Sequence, residues 1–224
     1  MGPPAPKFNR VFRLRRAGLI NNNGYLLTLE GIDGSGKSTL AAKLYDWFLS
    51  QEKPVIKTFE PGDSPLGTIL RSIMHEQKNN VCDKTEFLLM AADRAQHFHS
   101  TVIPALKAGK IVISDRMADS SLAYQGYGRG LDLELIQTVN AWAMSSIVPD
   151  CTIYLKFDPS RVLSRVTKRP GDLTSFEQEK AAFWQRVSNG YDEIFSGRTN
   201  VITIDAAQNP DVVFGLAKTA LAKK

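Results

Sequence analysis

Residues 24–39 read GYLLTLEGIDGSGKST, and this stretch decides the fold. Leu26, Leu27 and Leu29 form a short apolar run of the kind that fills a buried strand. Gly31-Ile32-Asp33-Gly34-Ser35-Gly36-Lys37-Ser38 follows at once and satisfies G-x-x-x-x-G-K-[ST] at every fixed position. Beyond Thr39, apolar residues at Leu40, Leu44, Trp47 and Phe48 recur at helical spacing as far as Ser50. Strand, glycine loop and helix in this order are the context that separates a phosphate loop from a chance glycine-rich turn. The glycines let the backbone turn tightly enough for its N–H groups to surround phosphate oxygens. The helix N-terminus adds free donors and a positive partial charge. Lys37 would bring a point charge to the β- and γ-phosphates, and Ser38 an oxygen to Mg²⁺. Residues 31–39 therefore predict a site for a nucleoside triphosphate with magnesium.

Composition bounds the rest. The 224 residues are enough for one domain with a full core. Apolar residues make up 43 % and charged residues 23 %, which fits an ordinary globular chain. No stretch approaches the ~20 apolar residues of a membrane span. Cys82 and Cys151 have neither metal nor redox spacing, which favours a reducing cytoplasm. The net charge of +5 is carried by Lys7, Arg10, Arg13, Arg15 and Arg16 in a stretch without acids, so residues 24–224 are balanced. A balanced body argues against a nucleic-acid surface. Residues 1–23 read as a basic, flexible tail. They are Arg-rich and acid-poor like an organellar address but lack its serines, so import is the less favoured location.

Residues 24–224 show strands alternating with helices. After the first strand, runs at 54–59, 111–114, 151–156 and 201–204 read as four more. Helical patterns fall at 66–74, 83–106, 119–126, 132–147, 159–167, 175–195 and 210–222, with Pro104 expected to kink or shorten the second of these. The prediction is an α/β, three-layer P-loop NTPase fold: a five-stranded parallel sheet with helices on both faces and a short lid at about 165–175. Ligands of such sheets lie beyond the carboxyl ends of the strands. Gly31–Ser38, Glu60-Pro61-Gly62 and Asp115-Arg116 all fall at that edge.

Asp115, closing an apolar strand, stands where a carboxylate can orient magnesium or its waters. Arg116 beside it could reach a phosphate on a second substrate; a surface ion pair is the alternative, which the strand-end position disfavours. Arg165, Lys168 and Arg169 lie in a helix-breaking stretch and read either as lid cations over a transferring phosphoryl group or as a solvated charged turn. His75, His97 and His99 have no partner at catalytic spacing and read as structural. Trp47, Trp142 and Trp184 fit core or interface positions.

Taken together, the motifs resemble those of thymidylate (dTMP) kinases. The matching pieces are GIDGSGKST at 31–39, EPG at 60–62, PLG at 65–67 and ADRAQH at 92–97. SDR at 114–116, SSLAYQGYGRG at 120–130, PD at 149–150 and Phe176-Glu177 complete the set. They run in family order from residue 25 to the end. The resemblance implies transfer of the γ-phosphoryl of ATP to dTMP, giving dTDP and ADP with Mg²⁺, in a homodimer. It assigns Gly31, Ile32, Asp33, Gly34, Ser35, Gly36, Lys37, Ser38 and Thr39 to ATP, and Ser38 and Asp115 to the metal. It gives Asp33 the deoxyribose 3′-OH, Arg71 and Arg116 the acceptor phosphate, and Arg94 the thymine O4. Ser121 and Gln125 would meet the other polar edge of the base, and Tyr124 would crowd the 2′ position. Glu60 and Pro61 join the acceptor site. Gly34 stands where some members carry an extra arginine, so the resemblance moves the catalytic cations, besides Lys37 and Arg116, to Arg165, Lys168 and Arg169.

Three departures from the family pattern matter. Phe59 stands where the family usually has an arginine on the acceptor phosphate. Met90 replaces a phenylalanine that stacks on thymine, and a thioether can take that place. Thr174-Ser175 replaces Asp-Arg in the lid. They leave open a kinase of the same fold for another deoxynucleotide or deoxynucleoside. A non-catalytic nucleotide-binding partner protein is the remaining alternative, and intact Lys37, Ser38, Asp115 and Arg116 argue against it.

Overall fold

The computed structural model describes residues 24–75, 81–162 and 179–223. The basic tail and the expected lid, with Arg165, Lys168, Arg169, Thr174 and Ser175, lie outside the described residues.

The chain runs β1 (Tyr25–Glu30), α1 (Lys37–Ser50), β2 (Val55–Phe59), α2 (Pro65–His75), α3 (Asp83–His97), α4 (Ile103–Lys107), β3 (Ile111–Asp115), α5 (Ala118–Ser121), α6 (Leu133–Ala143), β4 (Cys151–Lys156), α7 (Ala181–Phe195), β5 (Val201–Asp205) and α8 (Pro210–Leu221). The five strands form one sheet in the order β2-β3-β1-β4-β5, and every pairing is parallel. β1 is central, and Leu26, Leu27 and Leu29 are fully buried. Alternation along the strand sends Leu27 and Leu29 to one face, where Leu40, Ala41 and Leu44 of α1 and Val213 and Ala217 of α8 complete the cluster. Leu26 and Val112 point to the other face and meet Phe98, Val102 and Leu106. This is the two-sided covering that a parallel sheet requires.

Helix ends follow local chemistry. Asp132 caps α6 by accepting from the Leu135 N–H at 2.9 Å, and Asn209 caps α8 by accepting from Asp211 at 2.8 Å, with Pro210 in the first turn. Pro104 produces no sharp end to its helix. The helix widens to a π turn over Phe98–Val102 and continues as α4, a register that absorbs the i−4 carbonyl proline cannot satisfy. The helix expected over 132–147 stops at Ala143, because Ser145 and Ser146 turn into the left-handed region at φ 50° and 57°. The helix expected over 175–195 is interrupted at an extended Lys180, and α7 begins at Ala181; residues 175–178 lie outside the described residues. Of 159–167, the described part is a 3₁₀ turn at Pro159–Arg161 and Val162.

Candidate active site

The carboxyl ends of β1 and β3 build the centre of the site. β1 pairs with β3 so that Leu29 lies opposite Asp115, which brings the phosphate loop and the Asp115-Arg116 pair side by side. Gly31, Gly34 and Gly36 all have positive φ. Gly31 also lies so close to β4 that a Cβ would sit 2.5 Å from the Leu155 carbonyl oxygen, so no side chain fits where the loop leaves the strand. Lys37 opens α1 and folds back over the loop, donating to the Ile32 carbonyl at 2.9 Å. Burial, followed by the charge of Arg116, lowers the Lys37 ammonium to about 8, against the opposing pull of Asp115, Asp33 and Glu30. Ser38 Oγ donates to Asp115 Oδ2 at 2.6 Å. A hydroxyl and a carboxylate at a partly exposed edge form a hard-oxygen donor pair that suits Mg²⁺, which keeps several waters and takes few protein ligands.

Arg116 is the hub. Its backbone adopts φ 72°, a conformation costly for a residue with a side chain. Three bonds hold it there. The Arg116 N–H donates to the Leu29 carbonyl at 2.9 Å, Ser114 Oγ donates to the Arg116 carbonyl at 2.8 Å, and the Met117 N–H donates to Glu30 Oε1 at 2.8 Å. The guanidinium is ion-paired to Asp33 and donates to Tyr124 Oη at 2.9 Å, the Gly31 carbonyl at 3.0 Å, Ser120 Oγ at 3.1 Å and Tyr191 Oη at 3.3 Å. Burial alone would lower Arg116, but Tyr124 and Asp33 outweigh it and keep the group protonated.

A second buried arginine anchors the neighbouring cluster. Arg94, on α3, donates through Nε to Glu60 Oε2 at 2.8 Å and through Nη1 to Asn140 Oδ1 at 2.6 Å and Ser121 Oγ at 3.0 Å. Glu60 Oε1 meets His97 Nδ1 at 2.9 Å, and His97 Nε2 meets Thr58 Oγ1 at 2.6 Å. Burial would raise Glu60, but Arg94 and His97 hold its carboxyl below the usual range. Ser120 and Ser121 are adjacent on α5, so one short helix serves both arginines. Gln125 donates to Glu86 Oε1 at 2.9 Å, and Arg129 pairs with Glu86 and Glu179. Met90 is half-buried against the main core. At the rim, exposed Arg71 donates to the Pro61 carbonyl at 2.7 Å, across the cis Glu60–Pro61 bond.

The family model for thymidylate kinase matches residues 29–215. The chain belongs to the thymidylate kinase family. It is 41 % identical over 199 residues to the thymidylate kinase of Finegoldia magna, covering 88 % of this chain and 98 % of that protein. To that of Oleidesulfovibrio alaskensis it is 43 % identical over 204 residues, covering 88 % and 96 %. The thymidylate kinase of Halothermothrix orenii is 41 % identical over 192 residues, covering 85 % and 92 %.

At the carboxyl edge of the sheet the fold brings the phosphate loop beside Asp115 and Arg116, Arg116 reaches Asp33 and Tyr124, and Arg94 reaches Glu60 and Ser121. Pro149-Asp150, from the same set of motifs, lies at the opposite end, where Asp150 accepts from the Leu26 N–H at 2.7 Å. Sequence reasoning gives no role to Glu30, Asn140 or Asp93, although Asp93 lies within the ADRAQH motif. Glu30 carries a signal that could have found it: it is a charged residue at the end of an otherwise apolar strand, directly before the phosphate loop. Asp93 is fully buried beside Arg94; its Oδ2 accepts from the Gly62 N–H at 3.3 Å, and its Oδ1 has no hydrogen-bond partner among the described residues. Burial, then the Glu60 charge, raises Asp93 to about 6. His97, read as structural, is indeed a buried support, one helical turn from Arg94 on α3.

Proposed function

We propose that this protein transfers the γ-phosphoryl group of ATP to dTMP, giving dTDP and ADP, a step in dTTP synthesis. Family membership supports the reaction, and one observation carries the residue assignment: the phosphate loop and Arg116 share one sheet edge, with Arg94 linked to Arg116 through adjacent serines on α5.

In this reading Gly31–Thr39 surround the ATP phosphates, with Lys37 on the β- and γ-oxygens. Ser38 and Asp115 would hold Mg²⁺, which neutralises phosphate charge as it develops. Arg116 and Arg71 would bind the acceptor phosphate and place its oxygen in line with the γ-phosphorus, since phosphoryl transfer depends on positioning and charge stabilisation. Asp33 would accept from the 3′-OH. Arg94, fixed by Glu60 and Asn140, would donate to thymine O4, with Ser121 and Gln125 on the other polar edge and Met90 against the ring. A base that leaves these groups unpaired is rejected strongly, because buried polar groups without partners are costly. Tyr124 would crowd a 2′-hydroxyl. Arg165, Lys168 and Arg169 would cover the transferring group.

A homodimer is supported by apolar side chains on the outer faces of three helices packed side by side. These are Leu66 and Ile69 on α2, Leu88 on α3, and Leu135 and Trp142 on α6, the last 79 % exposed. Among the described residues no helix is long and apolar enough to cross a membrane. Cys82 and Cys151 are free thiols, which accords with a cytoplasmic location.

The test is ADP release from Mg-ATP with dTMP, dUMP, dCMP, dGMP or thymidine as acceptor, beside Lys37→Ala. The expected result is strong preference for dTMP, lost in the variant. Turnover with another acceptor but not dTMP would overturn the thymine assignment, and no acceptor-dependent turnover would leave a nucleotide-binding partner protein.

A further inference from the structure

Glu30 is a fully buried carboxylate at the end of the central strand, and the phosphate-transfer chemistry described above makes no use of it. It accepts three hydrogen bonds: from the Met117 N–H at 2.8 Å, from Ser120 Oγ at 2.6 Å and from Tyr191 Oη at 3.0 Å. The same two hydroxyls accept from Arg116 Nη1, at 3.1 and 3.3 Å. Ser120 spends its one hydrogen on Glu30, at the shortest distance of the set, and the Tyr191 hydrogen is shared between Glu30 and Ser120 Oγ, which lies 2.8 Å from Tyr191 Oη; the lone pairs left on both hydroxyls face Arg116. The third bond fixes the peptide that follows the left-handed Arg116.

We propose that Glu30 is a positioning residue for Arg116, setting the guanidinium through Ser120 and Tyr191 so that it meets the acceptor's phosphate. The proposal rests on the reading of Arg116 as a ligand of the dTMP phosphate. The groups facing Glu30 from the packed elements are Arg116 at the end of β3, Asp119 of α5, itself paired to Arg198 at 2.9 Å, and Tyr191 of α7. Burial, then Asp119, pushes Glu30 up to about 7, opposed by Ser120, Arg116 and Tyr191. A carboxylate suits this place because it only accepts. A glutamine amide would present hydrogens where donors already point: either the hydroxyls at Oε2 must turn, or the Met117 N–H at Oε1 loses its acceptor and the peptide that follows Arg116 loses its anchor, and in both cases Arg116 loses a support.

The experiment is calorimetric dTMP binding to four full-length proteins: unchanged, Glu30→Gln, Arg116→Ala and the double variant, with ATP binding measured on each. Glu30→Gln should weaken dTMP binding about tenfold, the scale of one charge-assisted hydrogen bond, and change ATP binding less than twofold. In the Arg116→Ala background it should have no further effect on dTMP, because a residue acting through Arg116 has nothing left to position. Equal losses in both backgrounds, or unchanged dTMP binding by folded Glu30→Gln, would overturn the proposal. Should Glu30→Gln not fold, Ser120→Ala and Tyr191→Phe interrupt the same relay, and they should show the same dependence on Arg116. Failure of the unchanged protein to bind dTMP would overturn the acceptor reading and this proposal together. Binding by the unchanged protein with additive losses overturns the Glu30 proposal alone.

Discussion

The guanidinium of Arg71 lies over the ring of Phe59, its central carbon 5.7 Å from the ring centroid. Gly62 closes the third side, since a Cβ there would approach both side chains, at 2.9 Å from Arg71 Cδ and 3.3 Å from Phe59 Cε2. At the position where the family resemblance leads one to expect an arginine, this chain therefore has an aromatic face that carries a neighbouring arginine.

Replacing Phe59 by alanine removes the face that steadies Arg71. A cation–π contact at a partly exposed site contributes roughly 1 kcal/mol, so the KM for dTMP should rise by about fivefold while kcat changes less. Phe59→Arg should instead lower that KM if the two arginines can share the acceptor phosphate. Steady-state kinetics with dTMP varied at saturating ATP would reveal both effects. An unchanged KM in both variants would remove Phe59 from the site.

Asn140→Ala takes away the 2.6 Å support of Arg94 Nη1. Loss of a hydrogen bond to a buried charged group costs about 1.5–3 kcal/mol. If Arg94 meets the base as proposed, the kcat/KM for dTMP should fall by at least about tenfold and the preference for dTMP over dCMP should narrow, because a loosened Arg94 would read the base less strictly. Comparing the two acceptors in one assay is the measurement. A uniform loss with unchanged preference would assign Asn140 to the scaffold alone.

Lys37, held at about 8 in the ligand-free protein, predicts how ATP binding depends on pH. Below that value the ammonium carries its charge to the phosphates. Above it the amine is neutral and binding must first take up a proton. The Kd for ATP should therefore be flat from pH 7 to about 8 and then rise, approaching tenfold per pH unit. Lys37→Ala should bind more weakly but lose this upturn, and equal pH profiles in the two proteins would contradict the prediction.

Gly67 lies in the first turn of α2, and a Cβ there would sit 2.1 Å from Asp93 Oδ1. Asp93 has no exposed surface into which it could swing. Gly67→Ala should destabilise the fold by about 1–3 kcal/mol, the usual cost of overpacking. Thermal or denaturant unfolding would register it, and a melting temperature equal to that of the unchanged protein would mean that α2 shifts at little cost.

How much of this was legible in the sequence differs from part to part. β1, the phosphate loop and α1 could be read from residues 24–50, because strand, glycine turn and helix each have a local cause. The five-stranded parallel sheet followed from the alternation of elements. The pairing of Ser38 with Asp115 could be anticipated only as two residues at one edge, since the contact depends on the register of strands distant in the chain. Glu30, Asn140 and Asp93 were harder to see. Their importance comes from partners on other elements, and only Glu30 breaks a local pattern. The π turn at Phe98–Val102 was hidden for a similar reason. Proline signals a disturbed helix, but tertiary packing decides between a kink, an end and a widened turn.

The register of β1 against β3 makes the pairing of Ser38 with Asp115 a property of the closed sheet. Leu29 and Asp115 are separated in the chain by α1, β2 and α2 to α4, so a chain lacking that pairing has a glycine loop but no partner for Ser38. ATP and its acceptor consequently have little to grip on a partly folded chain, and their binding energy acts on the closed sheet as a whole. A nucleotide bound there stabilises the complete sheet by mass action and does nothing for a chain whose strands have not paired.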